Sequence, residues 1–212
     1  MNRSRVLIAD DHRIVAEGLR GILEPTYELV GIVENGRTLV EEANRLQPDV
    51  VVADITMPLL NGLDAMALLQ RQGCRSKFVF LTMHKDVTYA AKALQQGALG
   101  YVLKHSASEE LLKALSTVMA GDKYVSSEIA SGLESQEEAV GQIEDLRTLT
   151  TRQREVLQLF AEGKSAKEVA SNLGISARTA ENHKARIMTQ LKLQTTAELV
   201  QYAIRHGLIS TQ

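Results

Sequence analysis

The stretch "PDVVVADITMPLLNG", residues 48–62, decides the fold. Four apolar residues, Val50 to Ala53, run directly into a carboxylate, Asp54. A short apolar run bounded by turn residues reads as a strand buried on both faces. A charge at its end is costly unless it finds partners or sits where the strand emerges. Asp54 therefore marks the tip of a buried strand and asks for partners elsewhere in the chain.

Outward from this stretch the pattern repeats. Apolar runs at 6–9, 29–33, 50–53, 78–81 and 101–103 alternate with segments of helical period at 13–23, 37–46, 63–72, 87–96 and 108–120. Strands that are apolar throughout, alternating with helices, imply a parallel sheet covered on both faces. The expected fold of residues 1–121 is an α/β doubly wound five-stranded parallel sheet, flavodoxin-like, of order 2-1-3-4-5. In that order the first and third strands are neighbours. Asp10 and Asp11, at the end of the first, then converge with Asp54 at one sheet edge. Three carboxylates that close repel one another and want a cation. An all-oxygen ligand set, with no Cys or His counted near it, favours Mg2+. Thr82 ends the fourth strand and Lys104 the fifth. A carboxylate nucleophile, a hard cation, a hydroxyl and an ammonium together suit phosphoryl transfer, with Asp54 attacking.

Composition narrows the setting. The chain has 212 residues, 44% apolar, with a single cysteine, Cys74, so it builds neither a disulfide framework nor a Cys-based metal site. That suits a reducing compartment, and a cytoplasmic location is expected. No apolar run reaches the length of a membrane span. The N-terminal apolar run stops at Asp10, too short for a signal peptide, so no membrane partner is expected.

The net charge of −2 hides an asymmetry: 13 basic and 14 acidic side chains in residues 1–120, 2 and 7 in 121–150, 9 and 5 in 151–212. A basic C-terminal block points to a polyanionic partner. Residues 122–147, rich in Ser, Gly, Glu and Gln, read as a mobile acidic linker with a short helix near 127–133. Residues 148–212 read as four short helices. "TTRQ" at 150–153, "SAKE" at 165–168 and "TTAE" at 195–198 match the capping box. Gly163, Gly174 and Gly207 follow helix ends, and Ser176 caps the third helix. Only "LGIS" separates the second and third helices, a helix-turn-helix arrangement.

The candidate recognition helix spans 177–192, with Ala180, Ile187 and Leu191 as its core stripe. Arg178, Thr179, Glu181, Asn182, Lys184, Ala185 and Arg186 are left for other faces. Basic side chains there suit phosphates, and Asn suits adenine edges. Lys164 and Lys167, at the start of the preceding helix, are further phosphate candidates. On the last helix, 196–206, Leu199, Val200 and Ala203 share one side and read as core packing plus a dimer seam.

These residues carry a family resemblance. Residues 3–121 resemble a response-regulator receiver domain: "DD" at 10–11, Asp54 with "MP" at 57–58 and "NG" at 61–62, "LT" at 81–82, and Tyr101 with Lys104. Residues 148–212 resemble a LuxR-type helix-turn-helix, and the whole is similar to a NarL/FixJ-type two-component response regulator. The resemblance implies that Asp54 is the phosphoacceptor for a sensor histidine kinase. It implies that Asp10, Asp11, Asp54 and the backbone carbonyl of Thr56 hold Mg2+, and that Lys104 contacts the phosphoryl group. Thr82 and Tyr101 become the switch pair: Thr82 turns toward the acyl phosphate and Tyr101 rotates inward. It further implies a homodimer on phosphorylation, double-stranded DNA with paired half-sites about one helical turn apart, and RNA polymerase as a candidate partner. Glu181, Asn182 and Ala185 would lie nearest base edges; Thr179, Lys184 and Arg186 would meet phosphates. Such a protein is not an enzyme beyond catalysing its own phosphorylation and dephosphorylation.

Some positions depart from or vary within the pattern. His105 follows Lys104 where many receivers have Pro, and Ala166 and Ala180 stand where Asn and Val are common. Thr56 and His84 occupy positions that tune dephosphorylation in the family. A haloacid-dehalogenase-type phosphatase also uses Asp, Mg2+, Thr and Lys. It places Asp-x-Asp after its first strand, however, and Asp10 and Asp11 are adjacent. A constitutive DNA-binding dimer with a vestigial receiver is disfavoured by the intact five-residue cluster.

Overall fold

Strands β1 (Arg5–Ala9), β2 (Glu28–Val33), β3 (Val50–Ala53), β4 (Lys77–Thr82), β5 (Gly100–Leu103) and β6 (Tyr124–Val125) form one parallel sheet of order β2-β1-β3-β4-β5-β6. The computed structural model describes residues 3–83, 85, 87–135 and 149–209, which fall into two units. His84 and the acidic stretch 136–147, expected to tune dephosphorylation and to act as linker, lie outside the described residues.

Helices α1 (Arg13–Leu23), α2 (Gly36–Leu46), α3 (Gly62–Arg71), α4 (Val87–Gln95) and α5 (Ala107–Ala120) alternate with the strands. Val6 and Ile8 of β1, Val50 and Val52 of β3 and Val79 and Leu81 of β4 pack with α1 and α5. The intervening Leu7, Val51 and Phe80 are equally buried. Period-2 alternation with both sets buried is what a sheet covered on both faces requires. At the opposite edge from the carboxylates, cations close the helix ends. An Arg5 guanidinium nitrogen donates to the Leu46 carbonyl at 2.6 Å, and Lys77 Nζ donates to those of Val118 and Met119 at 3.0 and 2.8 Å. These carbonyls lie in the last turns of their helices, where the i+4 amide of the helix is missing and a cation is favoured.

The sheet has six strands rather than the expected five. The short helix expected near 127–133 forms as α6 (Ser127–Ser135), but with β6 it joins this unit rather than a linker. The Tyr124 amide donates to the Leu99 carbonyl at 2.8 Å and the Ser126 amide to that of Tyr101 at 2.9 Å, so β5 is not an edge strand. A strand of two residues is too short to show periodicity. Its connection is also unusual. β1–α1–β2 and β5–α5–β6 step to opposite sides of the sheet, yet α1 and α5 pack on the same face. The two crossovers therefore have opposite hand, and only one hand is the common one.

The second unit contains α7 (Thr151–Ala161), α8 (Ala166–Leu173), α9 (Ala177–Gln190) and α10 (Thr196–Arg205). All three capping boxes form, on Thr150, Ser165 and Thr195, and Ser176 accepts from the Thr179 amide. Gly163, Gly174 and Gly207 take the left-handed turns (φ 80°, 64° and 59°) that end α7, α8 and α10. Helix α9 stops before the expected residue 192 because Lys192 is itself left-handed, at φ 56°. Ala180, Ile187, Leu199 and Ala203 lie in this unit's core with Val156 and Leu157. That is the core packing expected of the last helix, and it narrows the dimer seam expected there to Val200. Leu199 and Ala203 are fully buried inside their own unit, and a side chain filling a monomer core has no surface left for a partner; Val200 alone of the three is partly exposed.

Candidate functional site

Sheet register assembles the site. Ala9 pairs with Ala53, and the Asp54 amide donates to the Ala9 carbonyl at 2.8 Å. Asp10 and Asp54 are thus the first residues beyond two adjacent strand tips. Thr82 pairs with Leu103, so Lys104 is the first residue beyond β5. Its side chain reaches back across the sheet end: Lys104 Nζ lies 2.6 Å from Asp54 Oδ2 and 2.8 Å from Asp10 Oδ2. All three side chains are at least nine-tenths buried.

Electrostatics pull in two directions here. Burial pushes the Asp54 carboxyl above its usual range, and Lys104 counters this without cancelling it. For Lys104, burial is the largest influence and disfavours the charge; Asp54 and Asp10 together outweigh it and hold the ammonium above its usual range. The site therefore keeps a cation at all physiological pH and holds a carboxylate that is short of stabilisation.

One ligand atom from each of Asp10, Asp11, His12 and Asp54 lies within 4.8 Å of the others. Asp11 Oδ1 is shielded from solvent and makes no hydrogen bond, although His12 Nδ1 is 2.8 Å away. Carboxylate oxygens so gathered fit a hard cation such as Mg2+. His12 corrects the expectation that no histidine lies near. Its amide donates to Asp10 Oδ1 at 2.9 Å, which turns the chain into α1 and folds the ring back over both aspartates. The signal was its adjacency to Asp11 in "DDH".

Thr56 is half-buried and its amide donates to Asp54 Oδ1 at 3.3 Å. Thr82, the last residue of β4, and Tyr101, the second of β5, are both fully buried. Tyr101, expected to rotate inward, is already inside; of the elements beside β5, the short helix was expected near 127–133 and β6 was not.

Gly62 is a positioning residue that its place in "NG" did not explain. Its amide donates to the Ile55 carbonyl at 2.7 Å, closing the loop that follows Asp54. A Cβ on Gly62 would lie 2.1 Å from the Asp54 carbonyl oxygen and 3.0 Å from Phe80 Cε1. Backbone cannot swing aside as a flexible side-chain end can. Gly62→Ala is expected to lose about 3 kcal/mol, the upper end of the usual overpacking range, in urea denaturation. An unchanged midpoint would show that the loop yields freely.

The second unit presents a polar helix face. Arg178, Glu181, Asn182 and Ala185, spaced three and four apart, are exposed along one stripe of α9, with exposed Arg186 beside it. Lys167 is exposed and Lys164 half-buried at the start of α8. Thr179 is half-buried, its amide donating to Ser176 Oγ at 3.0 Å. Lys184 behaves differently from the other cations. Its Nζ lies 4.8 Å from the Phe160 ring centroid and 3.4 Å from Thr196 Oγ1, so it packs along its own unit. A short turn leading into such an exposed helix is the geometry that enters a DNA major groove.

Two family models match the chain. Residues 6–116 match the response regulator receiver domain, and residues 147–203 match the bacterial regulatory proteins of the luxR family. The chain is 36% identical over 208 residues to the transcriptional regulatory protein MctR of Rhizobium johnstonii, covering 97% of this chain and 95% of that protein. It is 34% identical over 214 residues to the oxygen regulatory protein NreC of Staphylococcus carnosus, covering 97% and 99%. Among solved structures it resembles RcsB from Salmonella enterica serovar Typhimurium, bound to a promoter in the presence of the phosphomimetic BeF3-. That likeness has a TM-score of 0.61 at 30% identity and covers 95% of this chain and 98% of that one. Among the described residues no helix is long and apolar enough to cross a membrane.

Proposed function

The chain belongs to the response regulators that join a receiver domain to a LuxR-type DNA-binding domain, and we propose that Asp54 is its phosphoacceptor and that phosphorylation there governs DNA binding. One observation carries this: a buried, under-stabilised carboxylate at a strand tip, 2.6 Å from a buried ammonium and beside two more aspartates. Residues 1–121 form the core of the receiver and 148–212 the DNA-binding domain, joined through 122–147.

An Asp54 carboxylate oxygen attacks the phosphorus of a phosphohistidine on a sensor histidine kinase. The new O–P bond forms as the P–N bond breaks, and the leaving imidazole keeps the electron pair. Asp10, Asp11, Asp54 and the Thr56 carbonyl would hold Mg2+, which when bound supplies charge neutralisation. Lys104 neutralises a phosphoryl oxygen, as its ammonium already faces Asp54. Thr82 offers its hydroxyl to the acyl phosphate and Tyr101 packs behind it. No separate substrate is turned over; the chain acts on itself.

The output is a cytoplasmic homodimer on paired half-sites of double-stranded DNA, with RNA polymerase as a further partner. Glu181, Asn182 and Ala185 would meet base edges, and Arg178, Thr179, Arg186, Lys164, Lys167 and Lys184 phosphates. Lys184 would first have to leave the Phe160 ring.

The test is intact mass of the full chain after incubation with acetyl phosphate, with and without Mg2+, followed by titration of both forms with promoter DNA. One Mg2+-dependent phosphoryl adduct and tighter DNA binding are expected. Folded protein that takes no adduct would refute the switch. An adduct that leaves DNA affinity unchanged would refute its control of binding.

A further inference from the structure

Lys104 is bracketed from both sides by a single helix turn. Ser126, fully buried, stands between β6 and α6. Its hydroxyl accepts from the Leu103 amide at 3.2 Å and donates to the Glu110 carboxylate. Glu128, in the first turn of α6, pairs with Lys85 at 3.2 Å and with His105 at 3.0 Å. Leu103 immediately precedes Lys104, His105 immediately follows it, and Lys85 lies three residues beyond Thr82. Two residues of one turn thus grip the chain on both sides of Lys104 and the loop that leaves Thr82.

The turn is itself firmly seated. Ile129 is buried, and a Cβ on Gly132 would come within 2.5 Å of Val87 Cγ2 at the start of α4. Glu128 is ionised: its hydrogen bond with Lys85 chiefly, and its attraction to Lys85 and His105, hold the carboxyl below its usual range. The two grips differ in strength. The Glu128 pairs are half-exposed and individually weak. The Ser126 hydroxyl is buried, and deleting it leaves the Leu103 amide and the Glu110 carboxylate each short of a partner.

We propose that Ser126 and Glu128 are positioning residues for the phosphoryl site, fixing Lys104 from α6, so that the docking of α6 and the phosphorylation state of Asp54 are coupled. This rests on Asp54 being the phosphoacceptor. A phosphoryl group on Asp54 puts oxygen where the Lys104 ammonium now meets the carboxylate. Lys104 must re-aim, and the residues that flank it are the ones α6 holds. Coupling of this kind is reciprocal: what loosens α6 alters the site, and what changes the site loads α6.

The experiment uses the full chain as wild type, Ser126→Ala, Glu128→Ala, Glu128→Gln and, as a control outside the bracket, Asp122→Ala. Two quantities are measured: the rate of adduct formation with acetyl phosphate and Mg2+, and amide hydrogen exchange over 127–135 with and without the phosphodonor. Ser126→Ala is expected to form adduct about 5-fold more slowly, the effect of one lost buried hydrogen bond. Glu128→Ala should be slower by about 2-fold, as for an exposed ion pair. Glu128→Gln, which keeps the acceptor oxygen, should recover part of that, and Asp122→Ala should match the wild type. In the wild type, phosphorylation should change exchange over 127–135. Equal adduct rates in folded wild type and bracket variants, with exchange over 127–135 indifferent to phosphorylation, would overturn the inference. Should Ser126→Ala fail to fold, the surface variants at Glu128 decide by the same criterion. A wild type that takes no adduct overturns the phosphoacceptor and with it this coupling, whereas equal rates overturn the coupling alone.

Discussion

Asp54→Asn is expected to take no phosphoryl adduct under conditions where the wild type takes one, and to resist urea better than the wild type at pH 7 in metal-free buffer. The first effect follows from chemistry. The amide oxygen keeps the shape of the strand tip but is no longer an anionic nucleophile. The second follows from burial. Asp54 is among the few charged groups sunk into this core, and burial holds its carboxyl above the usual range despite Lys104. A group whose folded pKa is raised contributes stability fully below its unfolded pKa, about 3.9 for Asp. It loses that stability as pH rises through the folded value. The wild type thus carries a cost at pH 7 that the amide does not. The gap between the two urea midpoints should narrow as pH falls toward 4 and Asp54 takes up its proton. A phosphoryl adduct surviving in Asp54→Asn would move the phosphoacceptor elsewhere. A midpoint below wild type at pH 7 would mean that the 2.6 Å contact with Lys104 outweighs burial.

Lys104→Met is expected to lose stability. The ammonium is the counter-charge in contact with both Asp10 and Asp54, and all three groups are buried. Removing one partner of a buried ion pair leaves uncompensated charge and costs about 3–5 kcal/mol. Methionine fills a similar volume, so the loss reads as charge rather than as a cavity. Two conditions should return part of it. Mg2+ restores a cation to the carboxylates and stabilises the folded state by mass action. Acidification lets Asp54, its carboxyl now opposed only by the Thr56 amide, take up a proton. Lys104 itself adds no slope at neutral pH. Its folded pKa is raised, so its contribution is fully present below the unfolded value of about 10.4 and is lost only above the folded one. Between pH 5 and 8 it contributes no slope in the wild type, and the variant should gain more stability than the wild type as pH falls. Urea denaturation across that range, with and without Mg2+, checks both. A loss under about 1 kcal/mol, the scale of an exposed pair, or one indifferent to Mg2+ would show that Lys104 is not the counter-ion.

The same chemistry explains what was readable in the residues alone. Asp10, Asp54, Thr82 and Lys104 each close an apolar run. In a parallel sheet all such runs end at the same edge, so linear order translates directly into proximity. The helix-turn-helix was readable because its signals are local: each capping box lies within four residues, and Gly174 turns the chain with no help from distant contacts.

Where distant parts of the chain meet, tertiary structure alone decided. β6 exists because β5 offers unpaired backbone to a two-residue segment, not because that segment has a strand pattern. Leu199 and Ala203 are apolar at helical spacing, which suits a core or a seam equally; packing against α7 turned them inward. Gly62 matters because its Cα approaches the Asp54 carbonyl, and Ser126 because its hydroxyl reaches β5 and α5. The chain by itself determined which chemical groups stand at the sheet edge, since strand ends and caps are written in neighbouring residues. Only the folded molecule determined what holds them at ångström distances, since steric contact and hydrogen bonding join residues that sequence order separates.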